Sequence, residues 1–203
     1  MKSIYKIIVL IFLSNNAISQ IRTLKINSVV PNVKITSLLN YPTSTANYSQ
    51  FKNKLIILDF FTTGCRSCIE AIPNFSILQK KYDSQIQIFL VTYQSAENVK
   101  KFLLNHKTIL PIISEDTIFS KLFPHVFIPH EVWIKNGIVK AMTSAEYVKD
   151  ENIQALLKGE KITWKVKTDI NDFDYDKSLL TINTESIPEQ SLPSVVFYSS
   201  LTP

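Results

Sequence analysis

Three glycines, Gly64, Gly137 and Gly159, are all that the 203 residues contain, and they stand far apart. A loop that wraps a phosphate in backbone N–H groups needs several glycines within one turn, so phosphate binding of that kind is excluded. Basic clusters are missing as well. The formal net charge is only +5, and the lysines are scattered without interleaved aromatics, which argues against nucleic acid as a partner. No apolar run reaches the roughly 20 residues of a comfortable membrane span. Cysteine is nearly absent, with Cys65 and Cys68 the only two. A pair spaced by two residues suits a redox couple, half of a zinc site or a structural staple. The spacing alone does not choose among them.

What is present is the material of a globular chain. Hydrophobic residues make up 45% and charged residues 19%, enough for one domain with a sizeable core plus appendages. The first residues, "MKSIYKIIVLIFLSNNAISQ", have the pattern of an export signal. Lys2 and Lys6 precede a short apolar stretch, and Ala17 and Ser19 are small residues at cleavage spacing. A signal peptide over 1–19 is therefore expected, with the mature protein exported to the cell envelope, as a periplasmic protein would be. In such an oxidising compartment a cysteine pair can persist as a disulfide.

Along the rest of the chain strands and helices alternate. "KLIILDFF" (54–61) is a continuous apolar run, as a strand buried on both faces requires. Helical spacing follows, with Cys68, Ile72, Phe75, Ile77 and Leu78 mostly on one face and Pro73 expected to kink it. "IQIFLVTY" (86–93) is a second buried strand, so the first three elements predict a right-handed βαβ unit. "SAENVKKFLLNH" (95–106) has Ser95 placed to cap a helix and Glu97 in its first turn. A short strand near "LPIIS" and a helix near "DTIFSKLF" come next. "EVWIKNGIVKAMTS" (131–144) reads as a hairpin around Asn136-Gly137, and "KDENIQALLKG" (149–159) as a closing helix with Gly159 at its end. The fold class is α/β: a central mixed sheet flanked by helices, ordered βαβ, αβα, hairpin, helix.

The two cysteines fall where the first buried strand ends and its helix begins, the edge at which open α/β sheets build active sites. There a Cys65 thiolate gains from the unpaired N–H groups and positive dipole end of the helix, which lowers a cysteine pKa. Arg66 adds a positive charge nearby, and Ser67 a hydroxyl. Asp59 is the anomaly of the strand, an acid inside "LIILDFF" where an unpaired carboxylate is costly.

On these residues the stretch from about 28 to 160 resembles the thioredoxin-like fold, and within it the exported TlpA-like branch of thiol–disulfide oxidoreductases. "LDFFTTGCRSC" resembles the active-site strand, turn and helix of that family, and "FIPHEVWI" resembles its cis-proline loop. The resemblance implies a reversible Cys65–Cys68 disulfide, Cys65 as nucleophile and Cys68 as resolving thiol. Asp59 would take the role of the buried proton acceptor. Ile128 and Pro129 would present backbone to an extended substrate segment, alongside Arg66 and Ser67. No cofactor and no metal are implied. The partners implied are disulfide-bearing exported proteins and a membrane-bound thiol electron donor. Two departures stand out. Gly64 occupies the place of a customary tryptophan, and Ala71 the place of a glutamate common in this branch. Two other uses of the cysteine pair remain open: a copper or zinc carrier, and a binding module with a structural disulfide. Residues 161–203 carry no resemblance and are expected to form a C-terminal extension.

Overall fold

The computed structural model describes residues 22–161 together with Trp164 and Lys167. The expected signal peptide and nearly all of the 161–203 extension lie outside the described residues. Three two-residue strands, β1 (Lys34–Ile35), β2 (Leu38–Leu39) and β3 (Ala46–Asn47), precede β4 (Leu55–Phe60). Then come α1 (Arg66–Lys81), β5 (Ile86–Val91), α2 (Ala96–Asn105), β6 (Ile112–Ile113) and the single turn α3 (Phe119–Leu122). The hairpin β7 (His130–Lys135) and β8 (Ile138–Thr143) leads into α4 (Asp150–Lys158). The order read from the sequence holds.

The sheet runs β2-β6-β5-β4-β7-β8, with β4 at its middle. β4 and β5 pair in parallel from Leu55↔Ile86 to Phe60↔Val91, as their crossover through α1 requires. β7 lies antiparallel on the other side of β4, with Asp59 opposite Glu131 and Phe60 opposite His130. Every residue of β4 and of β5 is buried, because helices cover one face and β1, β3 and α3 the other. This double cover is why both strands are written as unbroken apolar runs.

β7 departs from the expectation. Its hairpin signal suggests an alternating, half-solvated strand, yet five of its six residues are buried because β4 pairs with its other edge. β2 and the β1/β3 ribbon have no signal in the sequence; two residues are too few for a periodic pattern. β8 is the edge strand. Val29 bridges Ile138, and the Val30 N–H donates to the Gly137 carbonyl at 2.8 Å, while the Lys167 N–H donates to the Met142 carbonyl at 2.9 Å. The groups that would template aggregation are thereby covered in part.

α1 buries Cys68, Ile72, Phe75 and Leu78, a stripe at helical spacing. Ile77, expected on that face, is 64% exposed, since it sits about 200° around the helix from Phe75. Pro73 is accommodated within a continuous helix. At the far end of α1, Lys81 and the Tyr82 hydroxyl both donate to Asp150, at 2.6 and 2.7 Å, tying α1 to the start of α4.

The hairpin turn has Asn136 at φ 55° and Gly137 at φ 74°, both left-handed, as a two-residue turn matched to strand twist demands. A Cβ at Gly137 would meet open space, so the backbone alone resists substitution. Gly137→Ala is expected to cost about 1 kcal/mol, read as a shifted urea midpoint with an unchanged slope. A gain in stability would contradict the turn geometry.

Candidate active site

Cys65 closes the turn between β4 and α1. Its N–H donates to the Thr62 carbonyl at 3.1 Å, and the Thr63 N–H donates to the Gln94 side-chain oxygen at 2.8 Å. Gln94 returns a hydrogen bond from its amide nitrogen to the Thr63 hydroxyl at 3.0 Å, so the β5–α2 loop holds the turn from both sides. Cys65 is the N-cap of α1, and its sulfur accepts the Cys68 N–H at 3.3 Å. The Ser67 hydroxyl lies 3.6 Å from the same sulfur. One turn later Cys68 is fully buried, whereas Cys65 is half-buried. The two are joined in a disulfide with Cα atoms 5.3 Å apart. The helix N-terminus thus directs a backbone donor at the more accessible sulfur, the arrangement that stabilises a thiolate on reduction.

Arg66 follows Cys65 on the exposed outer face of α1. Its Nε donates to Glu70 at 2.8 Å in an exposed i,i+4 pair. The guanidinium is engaged along the outer helix face, and such a pair is worth little in water. Space around Gly64 is open.

Behind the disulfide, on the face of the sheet that α1 covers, lies Asp59. It is fully buried, and burial pushes its carboxyl from an ordinary 3.8 up to about 7, against a lowering contribution from a hydrogen bond with Glu131. Glu131, its cross-strand partner on β7, is also fully buried. Burial, and then the charge of Asp59, raise Glu131 well above the usual carboxylate range, while Lys167 opposes the shift. No hydrogen-bond donor among the described residues reaches either carboxyl, and the two face each other across the strand pair. Two carboxylates side by side in a dry interior cannot both ionise cheaply, so the pair holds a proton between them.

The Ile128–Pro129 bond is cis. Ile128 packs against the hydrophobic clusters on both faces of the sheet, fixing the loop where the two meet. The Lys167 ammonium donates to the Pro129 carbonyl at 3.1 Å and also to the Phe127 carbonyl. His125 and His130 stack on one another, 4.8 Å between centroids, against Phe60 on the sheet face away from Asp59. An open groove of about 660 Å³ runs beside Phe61, Thr62, Tyr93, Lys121, His125 and Ile128. Among the described residues no three His, Cys, Asp or Glu side chains gather as metal ligands.

Cys65, Ser67, Cys68 and Asp59 are thus gathered around the first turn of α1 and the end of β4. Two residues with no part in the sequence reading join them. Gln94 gave no signal, since a loop glutamine is ordinary. Glu131 had one: an acid at the start of a strand whose next residues are Val132, Trp133 and Ile134. Read as half of a hairpin, it belongs outside; only pairing with β4 turns it inward.

The fold and the dithiol turn together define a thioredoxin-fold protein, as the resemblance of residues 28–160 implies. A family model described as AhpC/TSA matches residues 26–123, from the N-terminal arm through α3. The thioredoxin domain of a thiol-disulfide oxidoreductase from Bacteroides vulgatus superposes with a TM-score of 0.53 at 19% identity, covering 67% of this chain and 97% of that one. A thiol:disulfide interchange protein from Bacteroides sp. gives 0.51 at 20% identity, covering 68% and 91%. By sequence, the chain is 34% identical to the thioredoxin-like protein YneN of Bacillus subtilis over 50 residues, 25% of this chain and 29% of that protein. It is 26% identical over 85 residues to NHL repeat-containing protein 2 of Bos taurus, 38% of this chain and 12% of that one. The chain therefore spans less than a third of the length of these curated relatives.

Proposed function

We propose that this protein is a thiol–disulfide oxidoreductase that reduces disulfides of exported proteins in the cell envelope. The observation that carries the reading is the Cys65 sulfur at the N-cap of α1, accepting the Cys68 N–H. In the dithiol form, the Cys65 thiolate attacks one sulfur of a substrate disulfide. A Cys65–substrate bond forms, the substrate S–S bond breaks, and the departing thiolate takes a proton from water. Asp59 then accepts the proton of Cys68, whose thiolate attacks the Cys65 sulfur. The second substrate thiolate leaves and is protonated. Two electrons have passed to the substrate, and the protein holds the Cys65–Cys68 disulfide. A membrane-bound thiol donor would restore the dithiol by the same exchange in reverse. The backbone of Ile128 and Pro129 would align an extended substrate segment beside the cysteine turn by short strand pairing.

The charges around the cysteine turn support the reductant direction. A strong oxidant must stabilise its thiolate heavily. Here Arg66 is paired with Glu70, and Ser67 offers only a hydroxyl. Asp59, when ionised, opposes a nearby thiolate. Equilibration against a thiol buffer should therefore give a potential closer to the −270 mV typical of thioredoxin than to the −120 mV or so of a strong oxidant. A value at the oxidant end would make the protein a disulfide donor. A disulfide inert to mild reductant would make it a structural staple.

A further inference from the structure

We propose that Glu131 is the positioning residue for the Asp59 base: its carboxyl proton, donated across the β4–β7 register, holds Asp59 as the carboxylate that can accept the proton of Cys68. The inference rests on the reading of Asp59 as proton acceptor. Its grounds are geometric. Asp59 and Glu131 are directly opposed in an antiparallel pair, so their side chains stand on the same face of the sheet within reach of each other. That face also carries Cys68 from α1 and Trp133, all fully buried.

Among the described residues no other donor reaches Asp59. Thr143, opposite Glu131 on β8, accepts the Trp133 indole N–H at 2.9 Å. Leu90, opposite Asp59 on β5, has no polar side chain. Lys135, on the same face of β7, is spent on the Leu156 and Leu157 carbonyls at the end of α4. Asp150 of α4 is held by Lys81 and Tyr82 at the far end of α1. From the segment after α4, Lys167 faces Glu131 and favours its ionised form, while Glu146 disfavours it. His130 and His125 lie across the sheet beside Phe60.

The consequence is a two-step device. Burial alone would keep Asp59 protonated at neutral pH and useless as a base. A protonated Glu131 donating to it favours the carboxylate, which is the direction of the Glu131 contribution to Asp59. When Asp59 takes the Cys68 proton, the pair becomes neutral, and no second buried charge has been created.

Carboxyl-carbon NMR titration of the full chain in its disulfide form tests this without relying on activity. In the wild type, Asp59 should titrate near neutrality and Glu131 in a separate, more alkaline step. In Glu131→Gln the amide still donates, so the Asp59 midpoint should stay within about half a pH unit while the alkaline step vanishes. In Glu131→Leu the donor is gone, and the midpoint should rise by about one pH unit or more. The pH profile of Cys68 attack on a trapped mixed disulfide should shift alkaline with it. An Asp59 midpoint indifferent to both substitutions, or a Glu131 that titrates as an ordinary carboxylate, overturns the proposal. Loss of disulfide reduction with the titrations as stated would instead count against the reductase reading and leave the pair standing.

Discussion

Cys65→Ser is expected to reduce insulin-disulfide reduction to the uncatalysed rate, while Cys68→Ser retains the first step and accumulates Cys65–substrate mixed disulfides. The asymmetry follows from position. Cys65 is half-buried at the N-terminus of α1, whereas Cys68 is fully buried one turn behind it. Only the thiolate is nucleophilic, and only Cys65 combines access with donors that favour the thiolate. Without Cys68, nothing resolves the intermediate except an external thiol. Non-reducing electrophoresis and mass spectrometry of trapped adducts read both results. Full activity in Cys65→Ser would end the enzymatic reading, and exchange of roles between the two cysteines would end the geometric argument.

Asp59→Asn should stabilise the folded protein at neutral and alkaline pH, and progressively less as the pH falls. Burial raises the Asp59 carboxyl from 3.8 to about 7, so the folded state binds its proton more tightly than the unfolded chain. The stability that the protonated side chain contributes is fully present below pH 3.8 and is lost as the pH rises through about 7. Roughly three pH units at about 1.36 kcal/mol each put this penalty on the order of 4 kcal/mol. Asparagine keeps the shape and cannot ionise. Urea unfolding of the two proteins at pH 4, 6 and 8 should give curves that lie close at pH 4 and separate steadily above it. Parallel curves would mean that the Asp59 carboxyl has the same pKa in the folded and unfolded protein, so that burial does not raise it. The same variant should slow Cys68 attack by roughly 10²- to 10⁴-fold if Asp59 is the base. Stability gained and turnover lost at one residue is the mark of a group kept for chemistry.

The parts of the site legible in the sequence are those written in a few consecutive residues. An apolar run ended by two phenylalanines, a turn and a cysteine pair at helical spacing place Cys65 and Cys68 without reference to the rest of the chain. Asp59 was legible as a contradiction, an acid where the run demands a hydrocarbon. Asn136-Gly137 sets its hairpin because a two-residue turn of left-handed backbone suits few other residues. The i,i+4 spacing of Arg66 and Glu70 is local too, and the two pair along the helix surface. Ile77 was misjudged because apolar identity stood in for angular position.

The sequence by itself determined the alternation of strands and helices, the sheet-edge position of the dithiol and the presence of one misplaced acid. Propensity, period and turn chemistry act over a few residues and need no partner. Tertiary structure alone decided that β7 is paired on both edges, that its Glu131 stands opposite Asp59, that Gln94 braces the cysteine turn and that Lys167 braces the cis-proline loop. These depend on register between strands about 70 residues apart, where a slip of one residue would turn Glu131 to the other face. Such register is fixed by the packing of both faces of the sheet together, and no local stretch of the chain contains it.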